Sequence, residues 1–499
     1  MTSRGEASSE TDALADKEPG RAGVRLVKQS MLYTLGIAAT RFANLLLLPF
    51  YLRTLSKEDY GALGVLEQLV QMMVIITMAG GMETLVKIGS DLYEKPEDQL
   101  RLVSTMTTWM LLSGAVVGVL GSLLWPWAGQ LLGGIRLWPL GVCALFTVAA
   151  SSAFQSLSAH LQVRGEVRKH TLFQALRTAV NVAIGVPLLL LTDWGLMALL
   201  LATCLSYWIC AGALATQMPK GLRLSIDPAL LKRVLRYGVP LLPHIAAAYI
   251  FQSLDKFMLA GSSEHGLEVA GVYSVGSRIA SGAMMLGLGM QRAWLPFFFK
   301  QAKQGDAQSW ERVRHLSFWS MAGMATCVAG LSLTAPEVVA LITPGGYGTA
   351  AAVTSVLCLG TLYRTGAQTA GAVVLSNESA AYRIWLASLP AALVNIALNI
   401  WWIPRWGALG ACWATSVAMA LNMLFTVMMG RAVRKVPFRY GAIGALLLTV
   451  TLIVALAEHA PLLVRLALCA VVPLLAVAFD WSFARAEVGK LLARRRALS

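Results

Sequence analysis

The sequence predicts an all-α integral membrane protein of about fourteen transmembrane helices. Two parallel six-helix repeats are expected to form N and C lobes around a central cavity, with two extra helices at the C-terminal end. Three observations predict this. Of 499 residues, 57% are apolar and 13% charged, about half the charged share of a soluble protein. Apolar stretches of about 20 residues, the length that crosses a hydrocarbon core of roughly 30 Å, recur along the chain. The chain also resembles itself at an offset of about 210 residues.

The elements follow in order. Residues 1–29 are polar and mixed in charge, with Glu6, Glu10, Asp12, Asp16 and Glu18, and read as a disordered cytosolic tail without a secretory signal. The N lobe, 30–216, holds spans near 30–52, 60–86, 102–125, 138–161, 171–191 and 195–216. A cytosolic connector, 217–237, contains Asp227-Pro228, an N-cap and first-turn proline. After it, Leu230, Leu231, Val234 and Leu235 share one helix face and Lys232, Arg233 and Arg236 the other, as in an interfacial helix on an anionic leaflet. The C lobe, 238–430, holds spans near 238–260, 269–298, 316–335, 349–375, 384–403 and 407–429, with Pro240 and Pro243 breaking the start of the first. Helices 13 and 14 occupy 441–457 and 461–481 within 431–481, and a basic cytosolic tail covers 482–499.

The net charge of +15 is spread over alternate loops, so it signals topology and not a nucleic-acid surface. Leaving aside Lys87 at a span end, twenty-nine lysines and arginines lie in the tails and in every second loop, against Arg53, Lys57, Arg136 and Arg405 on the other side. By the positive-inside rule both termini are expected to be cytosolic. The seven cysteines all fall within apolar spans without a CxxC pair or a Cys/His cluster, so neither disulfide nor metal is expected.

The repeat is legible at two places. Glu58-Asp-Tyr-Gly61-Ala-Leu matches Glu268-Val-Ala-Gly271-Val-Tyr, and Trp194-Gly-Leu-Met-Ala-Leu-Leu-Leu-Ala-Thr203 matches Trp406-Gly-Ala-Leu-Gly-Ala-Cys-Trp-Ala-Thr415. Six spans is an even number, so both copies enter from the same side and are related by an axis along the membrane normal.

Leu393–Leu421 is a span, a short turn and a second span in one piece. Asn395 and Asn399 share a helix face, Pro404 and Gly407 bracket the turn, and an Ala-Thr pair follows. These Asn-x-x-x-Asn, Ile-Pro-x-x-Gly-x-x-Gly-Ala and Ala-Thr elements resemble the second-half signature of the oligosaccharide-lipid flippases. That is the polysaccharide-transport (O-antigen and exopolysaccharide) branch of the multidrug/oligosaccharidyl-lipid/polysaccharide exporter superfamily. The basic connector leading to Tyr237-Gly-Val-Pro240 is similar to the same family, as is Leu254-Asp-Lys-Phe-Met-Leu, which matches its Asp-Arg/Lys-Phe-x-Leu element. Lys256 and Lys87 depart from it, standing where arginine is commoner.

Charges near span centres cost about 2.5 to 3.5 kcal/mol each on insertion scales, so they are expected to face a cavity or a partner. Arg41, Arg177, Arg278 and Arg364 are candidates for a cationic cavity that binds substrate, because a guanidinium fork suits diphosphate oxygens. Glu67, with Gln68, is a candidate for coupling or for bridging the lobes, the repeat pairing them with Ser277 and Arg278. Asp255 and Lys256, Glu83 and Lys87 (an i,i+4 pair), and Asn395 and Asn399 are candidates for gating or structural roles. Arg292 and Arg465, near span ends, read as interfacial anchors. Trp125, Trp127, Trp138, Trp194, Trp401, Trp402 and Trp406 collect beside external turns as an aromatic belt.

No catalytic constellation and no GxxxxGK[ST] loop is present, so an enzyme is not expected. The resemblance implies a flippase that moves polyprenyl-diphosphate-linked oligosaccharide repeat units from the cytosolic to the periplasmic leaflet by alternating access, for O-antigen, capsule or exopolysaccharide. No cofactor is expected, and a proton or sodium gradient is the candidate drive. Membrane lipids, a polysaccharide polymerase and export machinery are the candidate partners. A peptidoglycan lipid II flippase, a multidrug or cation antiporter, and an integral polymerase or ligase are the alternatives; four deep arginines against one deep acid disfavour the antiporter.

Overall fold

The computed structural model describes residues 45–78, 88–89, 96–164, 166–218, 223–377, 380, 383–457, 460–481 and 485. Arg41, Glu83, Lys87, the 1–29 tail and nearly all of 482–499 lie outside them. Among the described residues the chain is helical without a strand.

α1 (Leu48–Thr54) is separated from α2 (Lys57–Thr77) by a turn at Ser56, whose hydroxyl donates to Asp59 Oδ2 at 2.7 Å and accepts the Asp59 amide at 3.0 Å. That arrangement caps α2. α3 (Pro96–Leu131) opens with proline, Glu97 and Asp98, a favourable first turn. α4 (Val142–Val163), α5 (Val167–Leu191) and α6 (Leu196–Ala215) follow. α7 (Pro228–Gly238) is the amphipathic connector, and Asp227 caps it by accepting the Ala229 and Leu230 amides at 3.0 and 3.1 Å. A 3₁₀ turn, Val239–Leu241, takes up the proline break before α8 (Leu242–Ala260).

α9 (Gly266–Gln304) stops at Gly305, whose φ of 68° is the left-handed cap that glycine supplies. Asp306 then caps α10 (Ala307–Leu333) by accepting the Ser309 amide at 2.6 Å, which holds its carboxyl below the usual range. α11 (Ala335–Ile342), α12 (Thr349–Leu375), α13 (Trp385–Val433), α14 (Tyr440–Leu456) and α15 (Leu462–Phe479) complete the chain. Eight of the described helices are long and apolar enough to cross a membrane. The described residues of the expected spans from the second to the fourteenth lie mainly in helices, the eleventh and twelfth being the two limbs of α13 either side of a break at Gly407.

Two compact units result. The first takes the described residues up to Leu47, Leu66–Gly129 and Ile135–Tyr249; the second takes Leu48–Val65, Gln130–Gly134 and Ile250 onward. The helices α2, α3 and α8 are therefore each divided between the units. In the first unit Phe154, Leu157, Leu161, Phe173, Cys210 and Leu214 form an apolar core. Hydroxyl pairs join its helices: Thr77 with Ser152 at 2.7 Å and Thr107 with Ser156 at 3.2 Å.

In the second unit α2 and α9 cross backbone to backbone. A Cβ on Gly61 would run into the Leu267 carbonyl, and one on Gly271 into the Lys57 carbonyl. These are the two glycines the repeat pairs. The last two helices are fastened to α10 at both ends. At one end Asp480, 1% exposed, accepts from His315 Nδ1 at 2.7 Å and Trp319 Nε1 at 3.0 Å and pairs with Arg439 at 2.8 Å. At the other, Arg465 is not the interfacial anchor expected from its place near a span end. It is 7% exposed, donates to the Leu333 carbonyl at 2.8 Å and forks onto both carboxylate oxygens of Glu337. The reason is α11, which forms between the spans expected near 316–335 and 349–375 and brings Glu337 to it.

Candidate functional site

The most buried carboxylate among the expected site residues is Asp255 on α8, 1% exposed. Burying a charge is unfavourable unless hydrogen bonds replace water, and three side chains do so here. Asn399 Nδ2 donates to Oδ1 at 2.7 Å, while Tyr273 and Thr415 donate to Oδ2 at 2.7 and 2.6 Å. Asn399 Nδ2 also donates to Asn395 Oδ1 at 3.2 Å, and Asn395 Nδ2 to Thr415 Oγ1 at 3.3 Å. Asp255, Asn399, Asn395 and Thr415 thus close a ring of hydrogen bonds, in which every member but the acid is neutral. Asn395 and Asn399 are 0% exposed. Asn399 Oδ1 has no hydrogen-bond partner among the described residues, an acceptor left over beside the ring.

Helix geometry explains the ring. Asn395 and Asn399 are four apart on the first limb of α13 and so stack on one face. Gly407, with φ 54° and ψ −127°, reverses the chain in a conformation that L side chains rarely adopt. The second limb then returns Thr415 beside them. Gly195, 212 residues earlier, has nearly the same backbone, φ 49° and ψ −122°. There Asn181 Nδ2 donates to Thr203 Oγ1 at 3.3 Å, and Thr203 is likewise 212 before Thr415. The internal repeat is thus present in backbone and side chains alike.

The other candidates fall as follows. Arg177 lies in the first unit with its guanidinium 4.7 Å from the Tyr207 ring centre. Arg278, in the second unit, stacks 5.5 Å from the ring centre of Tyr60. Arg364 stands half-buried near the middle of α12, in the same unit. Glu67 and Gln68 are half-buried on the part of α2 that belongs to the first unit, where Gln68 accepts the Tyr249 hydroxyl through its side chain and, at 3.1 Å, its carbonyl. Lys256 is half-buried beside Asp255 in sequence. Sequence reasoning did not assign Tyr273 and Thr415 to Asp255, although both stand in the stretches that carry the repeat.

Comparison with known proteins places this geometry. The sequence model of the family described as polysaccharide biosynthesis protein matches residues 26–301, more than half the chain. An Lsg locus protein, protein 1, of Haemophilus influenzae is 25% identical over 297 residues, which cover 56% of this chain and 68% of that one. Among solved structures, the lipid II flippase MurJ in an inward closed conformation aligns with a TM-score of 0.70 at 12% identity, covering 92% of this chain and 100% of that one. A multidrug resistance MATE family transporter of the MOP superfamily, inward-facing, aligns with a TM-score of 0.62 at 15% identity, covering 82% and 95%. The chain is a multi-pass membrane protein with the fold of these transporters, and it belongs to the polysaccharide biosynthesis protein family.

Proposed function

We propose that the protein is a flippase for polyprenyl-diphosphate-linked oligosaccharide repeat units, carrying them from the cytosolic to the outer leaflet of a bacterial inner membrane for surface polysaccharide. It would act by alternating access of its two lobes and without catalysis. The family match supports a place in polysaccharide biosynthesis, and the fold supports transport. The reading that carries the cargo assignment is the placement of arginines well inside spans expected from the sequence. Arg278 and Arg364 in the second unit and Arg177 in the first are cations where hydrocarbon disfavours them by about 2.5 to 3.5 kcal/mol each. A diphosphate offsets that cost through charge-assisted hydrogen bonds. The sugars and phosphates would pass through a polar cavity while the lipid tail stays in the bilayer.

The drive we assign to the Asp255 ring. A small monovalent cation, sodium or a proton, would compensate the buried carboxylate. The leftover acceptor Asn399 Oδ1, with Asp255 and Thr415 Oγ1, suits sodium, a hard cation that takes oxygen ligands. Bound there, the cation supplies charge compensation. The chain's own part is to hold the carboxylate among Asn399, Tyr273 and Thr415 so that its charge state reaches α8, α9 and α13 together.

The test is a strain lacking the gene, with surface polymer quantified together with the leaflet location of lipid-linked repeat units. Polymer lost and repeat units trapped facing the cytosol is the expected result. Restoring the gene with Arg278→Ala or Arg364→Ala should leave polymer at least about tenfold reduced with the protein still in the membrane. Normal polymer and no trapped intermediate overturns the reading and turns attention to lipid II, the cargo of the flippase whose fold it shares.

A further inference from the structure

The end of the second unit where α9 stops and α13 gives way to α14 carries more positive charge than its acids balance. Among the described residues there the acids are Asp306, Glu311 and Asp480, and each is occupied. Asp306 caps α10 beside Arg312, and Glu311 pairs with Arg314 at 3.4 Å and His315 at 2.9 Å. Asp480 pairs with Arg439 at 2.8 Å and His315 at 2.7 Å. Lys300, Lys303, Arg431, Arg434 and Lys435 are exposed and make no ion pair among the described residues. A helix C-terminus favours a cation such as Arg431 in its last turn, but Arg434 and Lys435 stand beyond the end of α13.

Packing sets two of these guanidiniums in place. Past α13 the chain runs through Val436 and Phe438, which tuck against the core of Trp294, Phe298 and Val313 and leave Arg434 and Lys435 at the surface. Arg434 lies 4.5 Å from the ring centre of Trp310, and Arg431 5.2 Å from that of Tyr440. A guanidinium resting on an aromatic face keeps its planar fork of N–H donors open at the edge, the geometry that grips phosphate oxygens. The same patch has an apolar side. Phe299, next to Lys300, is 40% exposed, and its ring continues a row through Phe298 to Trp310 with centres 6.4 Å apart. Phosphate donors beside an exposed aromatic ring fit an amphiphile better than a soluble polyanion. Both segments belong to loops expected on the cytosolic side, where the leaflet is anionic. We propose that this patch binds one anionic glycerophospholipid of that leaflet, its phosphate on Arg431 and Arg434 and its chains against Phe299. The lipid then ties the end of α13 to α9 and α10.

The probes are phosphatidylglycerol and phosphatidylcholine, each carrying the same photoactivatable diazirine near the start of one acyl chain. The full-length protein is reconstituted in phosphatidylcholine nanodiscs doped with one probe and illuminated, and its labelled peptides are quantified by mass spectrometry. Phosphatidylglycerol should label the peptides around Phe299 and 431–440 at least about tenfold more than phosphatidylcholine does. Arg431→Gln combined with Arg434→Gln should make the two probes equal there. Equal labelling of the wild-type protein by both probes overturns the site, and so does a preference that survives in the double variant. Loss of labelling when glycerol 1-phosphate is added marks a site for soluble phosphate and overturns the lipid assignment. None of these readouts depends on the cargo or on transport.

Discussion

Two hairpins of the molecule are copies of each other, and only one of them holds an acid. In the first unit α5 and α6 turn at Gly195 and are tied by Asn181 and Thr203; in the second the limbs of α13 turn at Gly407 and are tied by Asn395 and Thr415. The turns and the 3.3 Å amide-to-hydroxyl bonds are the same. In the first copy the bridge is half-buried and ends there. In the second, Asn399 extends it, α8 contributes Asp255, and α9 contributes Tyr273. Span 1, which the repeat pairs with span 7, has no Asp or Glu between residues 30 and 52. The bridge is therefore the structural inheritance of both lobes, and the buried carboxylate is an addition to one. An asymmetry of this kind, placed on a symmetric scaffold, is where energy coupling can be installed without disturbing the packing that the copies share.

The largest effect that separates the copies is expected at the acid. Asp255→Asn keeps the shape of the side chain but removes its charge, and surface polymer should fall by about a hundredfold with the protein still in the membrane. Asn399→Leu and Thr415→Val should each cost about tenfold, as loss of supporting hydrogen bonds around a charged site does. Thr203→Val in the first unit, the counterpart of Thr415→Val, should leave polymer within about twofold. Equal losses from the two threonine variants would break the comparison and make both bridges structural.

A smaller effect is expected to be equal in the two copies. Gly195 and Gly407 hold φ near +50°, where a Cβ is disfavoured by roughly 1 to 2 kcal/mol. Gly195→Ala and Gly407→Ala should lower thermal stability in detergent by similar amounts. A much larger drop for one of them would mean that its turn carries packing the other lacks.

These turns were readable in the sequence because a Trp-Gly pair followed by Ala-Thr at fixed spacing needs no third element to be recognised. The spans, the Asp227-Pro228 start of α7 and the shared face of Asn395 and Asn399 are local in the same way. What brings Asp255 to Asn399 is the packing of α8 against a helix 144 residues away, and periodicity carries no information about which helices meet. For that reason Asp255 could be placed on its helix but not given its partners. The same holds for Arg465, whose ion pair with Glu337 depends on a short helix, α11, that forms within what reads as a loop. The backbone contact of Gly61 with Gly271 was likewise visible only as a pair of matching letters. The arginines are the opposite case: their depth is evident from the sequence, and the structure adds the aromatic rings of Tyr60 and Tyr207 on which two of them rest.

The smallest effect sharpens the comparison most, because it asks what the plain bridge contributes by itself. Hydrogen bonds between membrane helices are worth about 0.6 kcal/mol on average, since the unfolded chain in a bilayer finds other partners. A double-mutant cycle with Asn181→Ala and Thr203→Val, read from thermal unfolding, should return a coupling of about that size. The matching cycle with Asn395→Ala and Thr415→Val should return more, because the Thr415 hydroxyl that accepts from Asn395 also donates to the Asp255 carboxylate, which makes it a stronger acceptor. If the two cycles agree, the Asp255 carboxylate does not strengthen the bond between Asn395 and Thr415.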